Sequence, residues 1–142
     1  MKKNKKPEKA FEEEFAWRGK IKKCLYVKIP DPIMTGKRLQ LIKERGVSDE
    51  LRRTFDGVLV KSSGNYCLEF KCGYNQLTEH QKDYRMKINA INNSFYIVRK
   101  IIKKGLNGRT GEIIYKLTTP KNKVIQSNNL ETIIDYIGGN NE

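Results

Sequence analysis

The feature that most constrains the fold is a pair of short apolar runs, "FDGVLVK" at 55–61 and "YCLEFK" at 66–71, separated by "SSGN". Both runs are rich in Val, Leu, Phe and Tyr, which favour strands. The four residues between them have the composition of a tight turn. The segment therefore predicts a β-hairpin. The register of this hairpin decides which charged side chains come together.

Charged residues stand inside the second run. Successive side chains of a strand point to opposite faces, so Leu68 and Phe70 belong to one face and Glu69 and Lys71 to the other. The apolar pair predicts the face that is buried in the core. Burying a charge in an apolar strand is costly. An acid and a base on the same side of the strand therefore indicate either an exposed ion pair, which contributes little, or a functional site.

Asp56, at the start of the first run, favours the functional site. Paired residues of an antiparallel hairpin have numbers with a constant sum, so a two-residue loop at 62–63 places Asp56 opposite Glu69. A register of the other parity, or a β-bulge, would change this arrangement. Two carboxylates at cross-strand distance repel each other, and a divalent cation that prefers oxygen ligands offsets the repulsion. Mg²⁺ is the usual ion beside phosphates, and we expect Mn²⁺ to substitute for it.

The charge balance of the whole chain supports this interpretation. Its 142 residues include 29 Lys and Arg against 16 Asp and Glu, which gives a net charge of +13. So basic a globular chain points to a polyanionic partner, most often nucleic acid. The basic surface then holds the polyanion, while Asp56 and Glu69 hold a metal ion that polarises a phosphodiester. Lys71 is placed to orient water or to neutralise developing charge.

Cysteine and histidine usage excludes other classes. The three cysteines and one histidine fit no zinc-binding spacing, and an odd number of cysteines argues against a disulfide framework. No apolar run is long enough to cross a bilayer, and the basic N-terminus lacks the apolar core of a signal peptide. We therefore expect no membrane partner and a reducing compartment, the cytoplasm of a bacterium or of a phage-infected host.

The hydrophobic pattern predicts a single domain over 1–142 of the α/β (α+β) class, with a mixed sheet flanked by helices in the order α-β-β-β-α-β-β-α. Residues 1–6 are predicted to be a flexible basic tail. Residues 31–54 are predicted to be a basic insertion loop, whose cations either contact phosphates or lie in solvent. The other predicted elements are a helix from Pro7 to Gly19, strands at 24–29, 94–102 and 112–117, and helices at 78–93 and 129–137.

These motifs together resemble the PD-(D/E)xK nuclease superfamily, in which an acid, an E-x-K strand after a hairpin and a helix follow one another. Two branches are similar, the VRR-Nuc family and the RecU-like Holliday-junction resolvases, and both place a glutamine on the helix after the lysine. Gln81 in "TEHQ" matches that position, and the same residues form a capping box with Thr78. Both branches also use a glutamate on the first helix. Glu12 in "AFEEEF" matches it, with Glu13 and Glu14 as alternatives.

The resemblance implies a restriction-endonuclease-like core and a Mg²⁺-dependent endodeoxyribonuclease that leaves 5′-phosphate and 3′-hydroxyl ends. It also implies a branched DNA substrate, such as a Holliday junction, and a homodimer, because two copies of one site suit a two-fold-symmetric junction. The catalytic residues that it implies are Asp56, Glu69, Lys71 and Gln81, and the metal ligands are Asp56, Glu69, the Phe70 carbonyl and Glu12.

Phosphate contacts are predicted from charge alone. A basic DNA-binding module of the same fold without catalysis stays open as the alternative function. An RNA-binding protein fits the charge but leaves the acids and Lys71 without a role. A small lysine-rich nuclease suits a phage or mobile element and a task in DNA recombination or repair. The candidate phosphate-contacting residues are Lys37, Arg38, Arg52, Arg53 and Arg99.

Overall fold

Four helices and six strands make up the described part of the chain. The computed structural model describes residues 6–30, 36–47, 53–105 and 110–139. The helices are α1 (Lys6–Ile21), α2 (Gly36–Glu44), α3 (Glu79–Asn92) and α4 (Leu130–Tyr136). The strands are β1 (Leu25–Lys28), β2 (Gly57–Lys61), β3 (Gly64–Cys72), β4 (Phe95–Lys104), β5 (Thr110–Thr118) and β6 (Val124–Ser127).

The six strands form one mixed sheet in the order β1-β2-β3-β4-β5-β6. Strands β3 and β4 run parallel and are joined by α3, as a parallel pair requires a crossover. The other neighbouring pairs of described strands are antiparallel. The predicted α+β class, with a mixed sheet flanked by helices, is confirmed.

The hairpin of β2 and β3 has the predicted register. Gly57 pairs with Leu68 and Lys61 pairs with Gly64, which leaves a two-residue loop at 62–63. Strand β2 ends its pairing at Gly57, whereas β3 continues to Cys72 with β4 as its strand neighbour. The sheet therefore has a notch beside the second half of β3, and side chains from both faces of the sheet can meet there.

The core lies on the face of the sheet that α1 and α4 cover. Leu68 and Phe70 belong to it, as the alternation predicts, and α1 adds Phe11 and Phe15. The Phe70 ring lies 5.4 Å from the Phe11 ring and 5.1 Å from the Phe15 ring, both edge-on. Because these rings hold Phe70 on the core face, its neighbours Glu69 and Lys71 must point to the opposite face.

The prediction of an insertion loop at 31–54 is wrong for α2, which occupies part of that range. The segment "KRLQLIKE" consists of good helix formers, but Ile42 is its one buried side chain, so the apolar stripe is too thin to reveal a helix. Gly46 follows with φ +69, a left-handed conformation that suits a residue after a helix end. The prediction of a tail at 1–6 is wrong for Lys6, which is the first residue of α1. Residues 1–5 of that tail lie outside the described residues, as do 31–35 and 48–52 of the predicted loop.

The predicted order of elements also omits β6. This strand is short and alternates exposed with half-buried residues, so it carries little apolar signal. It forms by pairing with β5, for example Lys116 with Gln126 and Leu117 with Ile125. With α2 and β6 included, the observed order is α-β-α-β-β-α-β-β-β-α.

The C-terminal end of α4 is tied to the hairpin by a lysine. Lys61 Nζ donates hydrogen bonds to the carbonyl oxygens of Ile134, at 2.9 Å, and of Ile137, at 2.8 Å. Carbonyls at a helix C-terminus lack helical partners and carry a partial negative charge, which a cation offsets. The ammonium group of Lys61 therefore fixes α4 against β2, the strand that directly follows Asp56.

We expect Lys61→Met to lower the free energy of unfolding by about 2 kcal/mol, because it removes two hydrogen bonds from a charged donor and keeps the aliphatic stem. Urea unfolding followed by circular dichroism measures this as a lower midpoint with an unchanged slope. Lys121→Met is the control, since Lys121 is exposed, and it should change stability by less than about 0.5 kcal/mol. Equal effects of the two substitutions would contradict the role of Lys61.

Candidate active site

A pocket of about 730 Å³ opens at the notch in the sheet. It is bounded by α1, β1, the segment at 53–56, the second half of β3 and the start of α3. The structure thus brings together five side chains that lie far apart in the sequence. All five belong to the predicted catalytic or metal-binding set, and they are Glu12, Asp56, Glu69, Lys71 and Gln81.

Asp56 directly precedes β2 and continues the pairing of the hairpin by one residue. Its backbone N–H donates to the Leu68 carbonyl at 2.9 Å, and its Oδ2 accepts from the Phe70 N–H at 2.8 Å. The carboxylate thus takes the place of a missing strand partner. Since the N–H and the C=O of one strand residue face the same neighbour, the carbonyl of Phe70 also points towards this edge. Asp56 and the Phe70 carbonyl therefore belong to the same side of the notch.

Glu69 is almost fully buried, with 4% of its surface exposed. Its Oε2 accepts a hydrogen bond from Gln81 Nε2 at 3.0 Å, and Lys71 Nζ lies 3.6 Å from the same oxygen. Burial, followed by the neighbouring charge of Asp56, raises the pKa of Glu69 to about 8, against the pull of Lys71. Glu69 thus lies beside Lys71 and Gln81 and is acted on by the charge of Asp56.

Asp56 is perturbed in the same direction. Burial raises the pKa of Asp56, and the charge of Glu12 adds to the increase, whereas the hydrogen bond from the Phe70 N–H opposes it. Burial is the largest cause for both acids, and a neighbouring carboxylate adds to it, Glu12 for Asp56 and Asp56 for Glu69. The repulsion expected between Asp56 and Glu69 therefore contributes to the raised pKa of Glu69.

Gln81 has two tasks at the start of α3. Its Oε1 accepts from the Thr78 N–H at 2.9 Å, while its own N–H donates to Thr78 Oγ1 at 3.2 Å, so the predicted capping box is confirmed. The remaining side-chain group, the Nε2 amide, donates to Glu69. The structural and the functional interpretations of Gln81 are therefore compatible, because the cap orients the amide towards the acid.

Glu12 is the glutamate of α1 that reaches deepest into the pocket, with 8% of its surface exposed. Its Oε2 accepts a hydrogen bond from Tyr26 Oη, and its Oε1 lies 2.8 Å from Lys28 Nζ. Of the alternatives, Glu13 also lines the pocket. Glu14 does not line it and pairs instead with Lys100, at 2.8 Å, and with Tyr115, at 2.7 Å.

Sequence reasoning missed Tyr26 and Lys28. They stand two residues apart on β1, so they share a face, which is the signal that could have drawn attention to them. Gly57, directly after Asp56, makes room for the tyrosine. A Cβ at Gly57 would lie 2.3 Å from Tyr26 Oη and 2.5 Å from the Val27 carbonyl oxygen. The absent side chain lets the Tyr26 ring cross the end of β2 to reach Glu12.

The donor set of the pocket suits a hard divalent cation. Within the described ranges, no three His, Cys, Asp or Glu residues are gathered into a ready-made metal cage. Mg²⁺ does not require one, because it retains several waters and binds through one or two carboxylates. Asp56, Glu69 and the Phe70 carbonyl offer such oxygens. In a chain of net charge +13, the pocket wall nevertheless carries five carboxylates, Glu8, Glu12, Glu13, Asp56 and Glu69, against four cations, Lys9, Lys28, Arg53 and Lys71.

The predicted phosphate-contacting residues fall into three groups. Arg53 lines the pocket, and Lys37 and Arg38 are exposed on α2. The Arg99 guanidinium donates hydrogen bonds to two carbonyls of a loop, so its observed role is to hold that loop in the fold. Arg52 lies outside the described residues.

Comparisons with known proteins identified no relative. A scan of protein-family models gave no match to this chain, and searches of curated proteins and of solved structures gave none either. Among the helices of the described ranges, none has both the length and the apolar character needed to cross a bilayer. The chemistry of the site therefore has to be inferred from its own residues.

We expect Glu69→Gln to stabilise the metal-free protein increasingly as the pH rises from about 5 to 9. The folded-state pKa of Glu69, about 8, exceeds its ordinary value of 4.5. The stabilisation that comes from proton uptake is complete below pH 4.5 and is lost as the pH rises through 8. Melting temperatures in EDTA should show the variant gaining on the wild type, by more than about 1 kcal/mol across this range.

Glu14→Gln is the matched control with the opposite sign. Burial pushes the pKa of Glu14 upwards, but hydrogen bonds from Lys100 and Tyr115 outweigh it and lower the pKa. The stabilisation by this carboxylate is present at neutral pH and is lost as the pH falls through the lowered value. The Glu14→Gln variant should therefore melt below the wild type at pH 7 and approach it in acid. Parallel pH profiles for the two variants would contradict the raised pKa of Glu69.

Proposed function

We propose that the protein is a metal-dependent endodeoxyribonuclease that hydrolyses DNA phosphodiester bonds on a restriction-endonuclease-like core. The observation that carries the proposal is the meeting of Asp56 and Glu69 at the notch, in contact with Lys71 and Gln81. A pocket rich in carboxylates on a strongly basic chain suits a site in which a cation and a polyanion bind together.

In this mechanism, Asp56, Glu69 and the Phe70 carbonyl would hold Mg²⁺, with Glu12 assisting. The ion would supply Lewis acidity and lower the pKa of water there. Gln81 holds the Oε2 oxygen of Glu69 by a hydrogen bond. Lys71 lies beside the same carboxylate. It orients the attacking water and neutralises charge that develops on the phosphate.

The Glu12 contacts give α1 an indirect part in the site. Tyr26 and Lys28 each hold one oxygen of Glu12, and the charge of Glu12 acts on Asp56. Lys28 is half exposed, so it can exchange Glu12 for a substrate phosphate at the rim of the pocket. Arg53, three residues before Asp56, supplies a second cation close to Asp56 and Glu69.

The substrate that we propose is branched or otherwise structured DNA, and the working form is a homodimer. Two copies of one active site match the two strands of a two-fold-symmetric junction. The alternative is a basic DNA-binding module without catalysis. The occupation of both Glu12 oxygens by protein groups favours that alternative, and cleavage and metal-binding experiments separate the two.

Wild-type protein is expected to cut labelled DNA in Mg²⁺ or Mn²⁺ and not in EDTA. A four-way junction, a flap, a duplex and a single strand of related sequence give the substrate ranking. Asp56→Asn, Glu69→Gln and Lys71→Met should each reduce the rate by at least about 100-fold, whereas Glu14→Gln should retain it. Binding without cutting in every lane would establish the module, and wild-type cutting by Glu69→Gln would assign the chemistry to another site.

Mg²⁺ is expected to raise the melting temperature, because a ligand that binds only the native state stabilises it. At 100 times the dissociation constant, this stabilisation is about 2.7 kcal/mol. Asp56→Asn and Glu69→Gln should remove the increase, and Glu12→Gln should reduce it. An equal increase in Glu69→Gln and in wild type would show that the ion binds elsewhere.

A further inference from the structure

The loop between β3 and α3 borders the candidate site at both ends. Lys71 lies on β3 just before it, Thr78 is its last residue, and both line the pocket. Tyr74 is the second residue of this loop, with 72% of its surface exposed. Three residues of extended chain span about 10 Å, so the Tyr74 Cα lies within that distance of the Lys71 Cα.

Arg99 holds the loop on both sides of Tyr74. Its NH1 group donates to the Gly73 carbonyl at 2.9 Å and to the Asn75 carbonyl at 2.7 Å. The Gly73 N–H also donates to the Lys100 carbonyl at 2.9 Å. Arg99 is the register partner of Lys71 on β4, so it reaches the loop from the same face of the sheet. The guanidinium thus fixes the backbone that carries Tyr74.

Within the described part of the chain, the Tyr74 side chain has neither a hydrogen bond nor a ring contact. Another exposed aromatic residue, Trp17, differs in this respect, because the guanidinium carbon of Arg18 lies 4.7 Å from its ring centroid. An aromatic side chain with few rotatable bonds, on a fixed backbone, loses little conformational entropy when it binds.

We propose that Tyr74 stacks on an unpaired nucleobase beside the bond to be cut, so that the preferred substrate carries an unpaired nucleotide at that position. The inference rests on the proposed function. Inside a continuous duplex, both faces of each base are covered by neighbouring bases. An unpaired base at a bulge, flap or junction offers its face, and stacking on an aromatic side chain accepts any base. Arg99 acts as a positioning residue, since it holds the loop rather than the DNA.

The test compares a duplex that contains one unpaired nucleotide with the fully paired duplex of the same sequence. Binding is measured in EDTA, where no metal-dependent cutting is expected. A 2-aminopurine at the unpaired position reports stacking through its fluorescence. Tyr74→Ala should reduce the preference for the unpaired nucleotide about tenfold, which corresponds to about 1.4 kcal/mol. Tyr74→Phe should retain both the preference and the fluorescence change.

Trp17→Ala is the matched control, since Trp17 is an exposed aromatic residue on α1 and not on the loop that borders the pocket, and it should leave the preference unchanged. Arg99→Met should lose part of the preference and part of the fluorescence change while Tyr74 is intact. An unaltered affinity ratio in Tyr74→Ala would overturn the inference. If both affinities fall equally, Tyr74 is a general contact with DNA, and if neither falls, Tyr74 does not contact the DNA.

Failure of this inference can be distinguished from failure of the proposed function. If the preference depends on Tyr74 but no substrate is cut in Mg²⁺, the stacking role holds and the nuclease does not. If DNA is cut and the preference is the same in Tyr74→Ala, the nuclease holds and the stacking role is wrong. If the protein binds neither duplex, both proposals are wrong.

Discussion

The hydrogen bond from the Phe70 N–H to the Asp56 carboxylate is the contact on which the candidate site depends. It forms just before the first residue of β2, where β3 extends beyond its partner strand. The Asp56 side chain accepts the hydrogen bond that a neighbouring strand would otherwise accept. The Phe70 N–H is therefore satisfied although the sheet has a gap at this point. The same contact fixes a carboxylate at the edge of the opening. This single hydrogen bond therefore accounts both for the gap in the sheet and for the position of Asp56 beside it.

Packing on the other face of β3 fixes the remaining chemistry. Phe70 is held by two aromatic rings of α1, and a slip of β3 by one residue would place Glu69 among those rings. The aromatic core thus specifies the register of the polar site. Helix α1 extends this coupling, because its Phe11 and Phe15 enter the core while Glu12 reaches the pocket and Glu14 pairs on the far side.

The parts that local rules determine could be predicted from the sequence. The hairpin register follows from a two-residue turn and alternation, and the Thr78–Gln81 box follows from helix capping. Helix α2 and strand β6 bury too little apolar surface to leave a pattern. The contacts of Tyr26 and Lys28 with Glu12 required knowing that β1 pairs with β2 and passes over Gly57. That relation joins distant segments, and no local pattern encodes it.

The order of the strands also bears on how the protein tolerates high concentration. The two strands at the edges of the sheet, β1 and β6, have four residues each, while the interior strands β3, β4 and β5 have nine or ten. A short edge offers few unpaired N–H and C=O groups to a strand of another molecule. The longest strands thus lie inside the sheet, so edge-to-edge growth can start only from short edges, while the notch stays open to solvent.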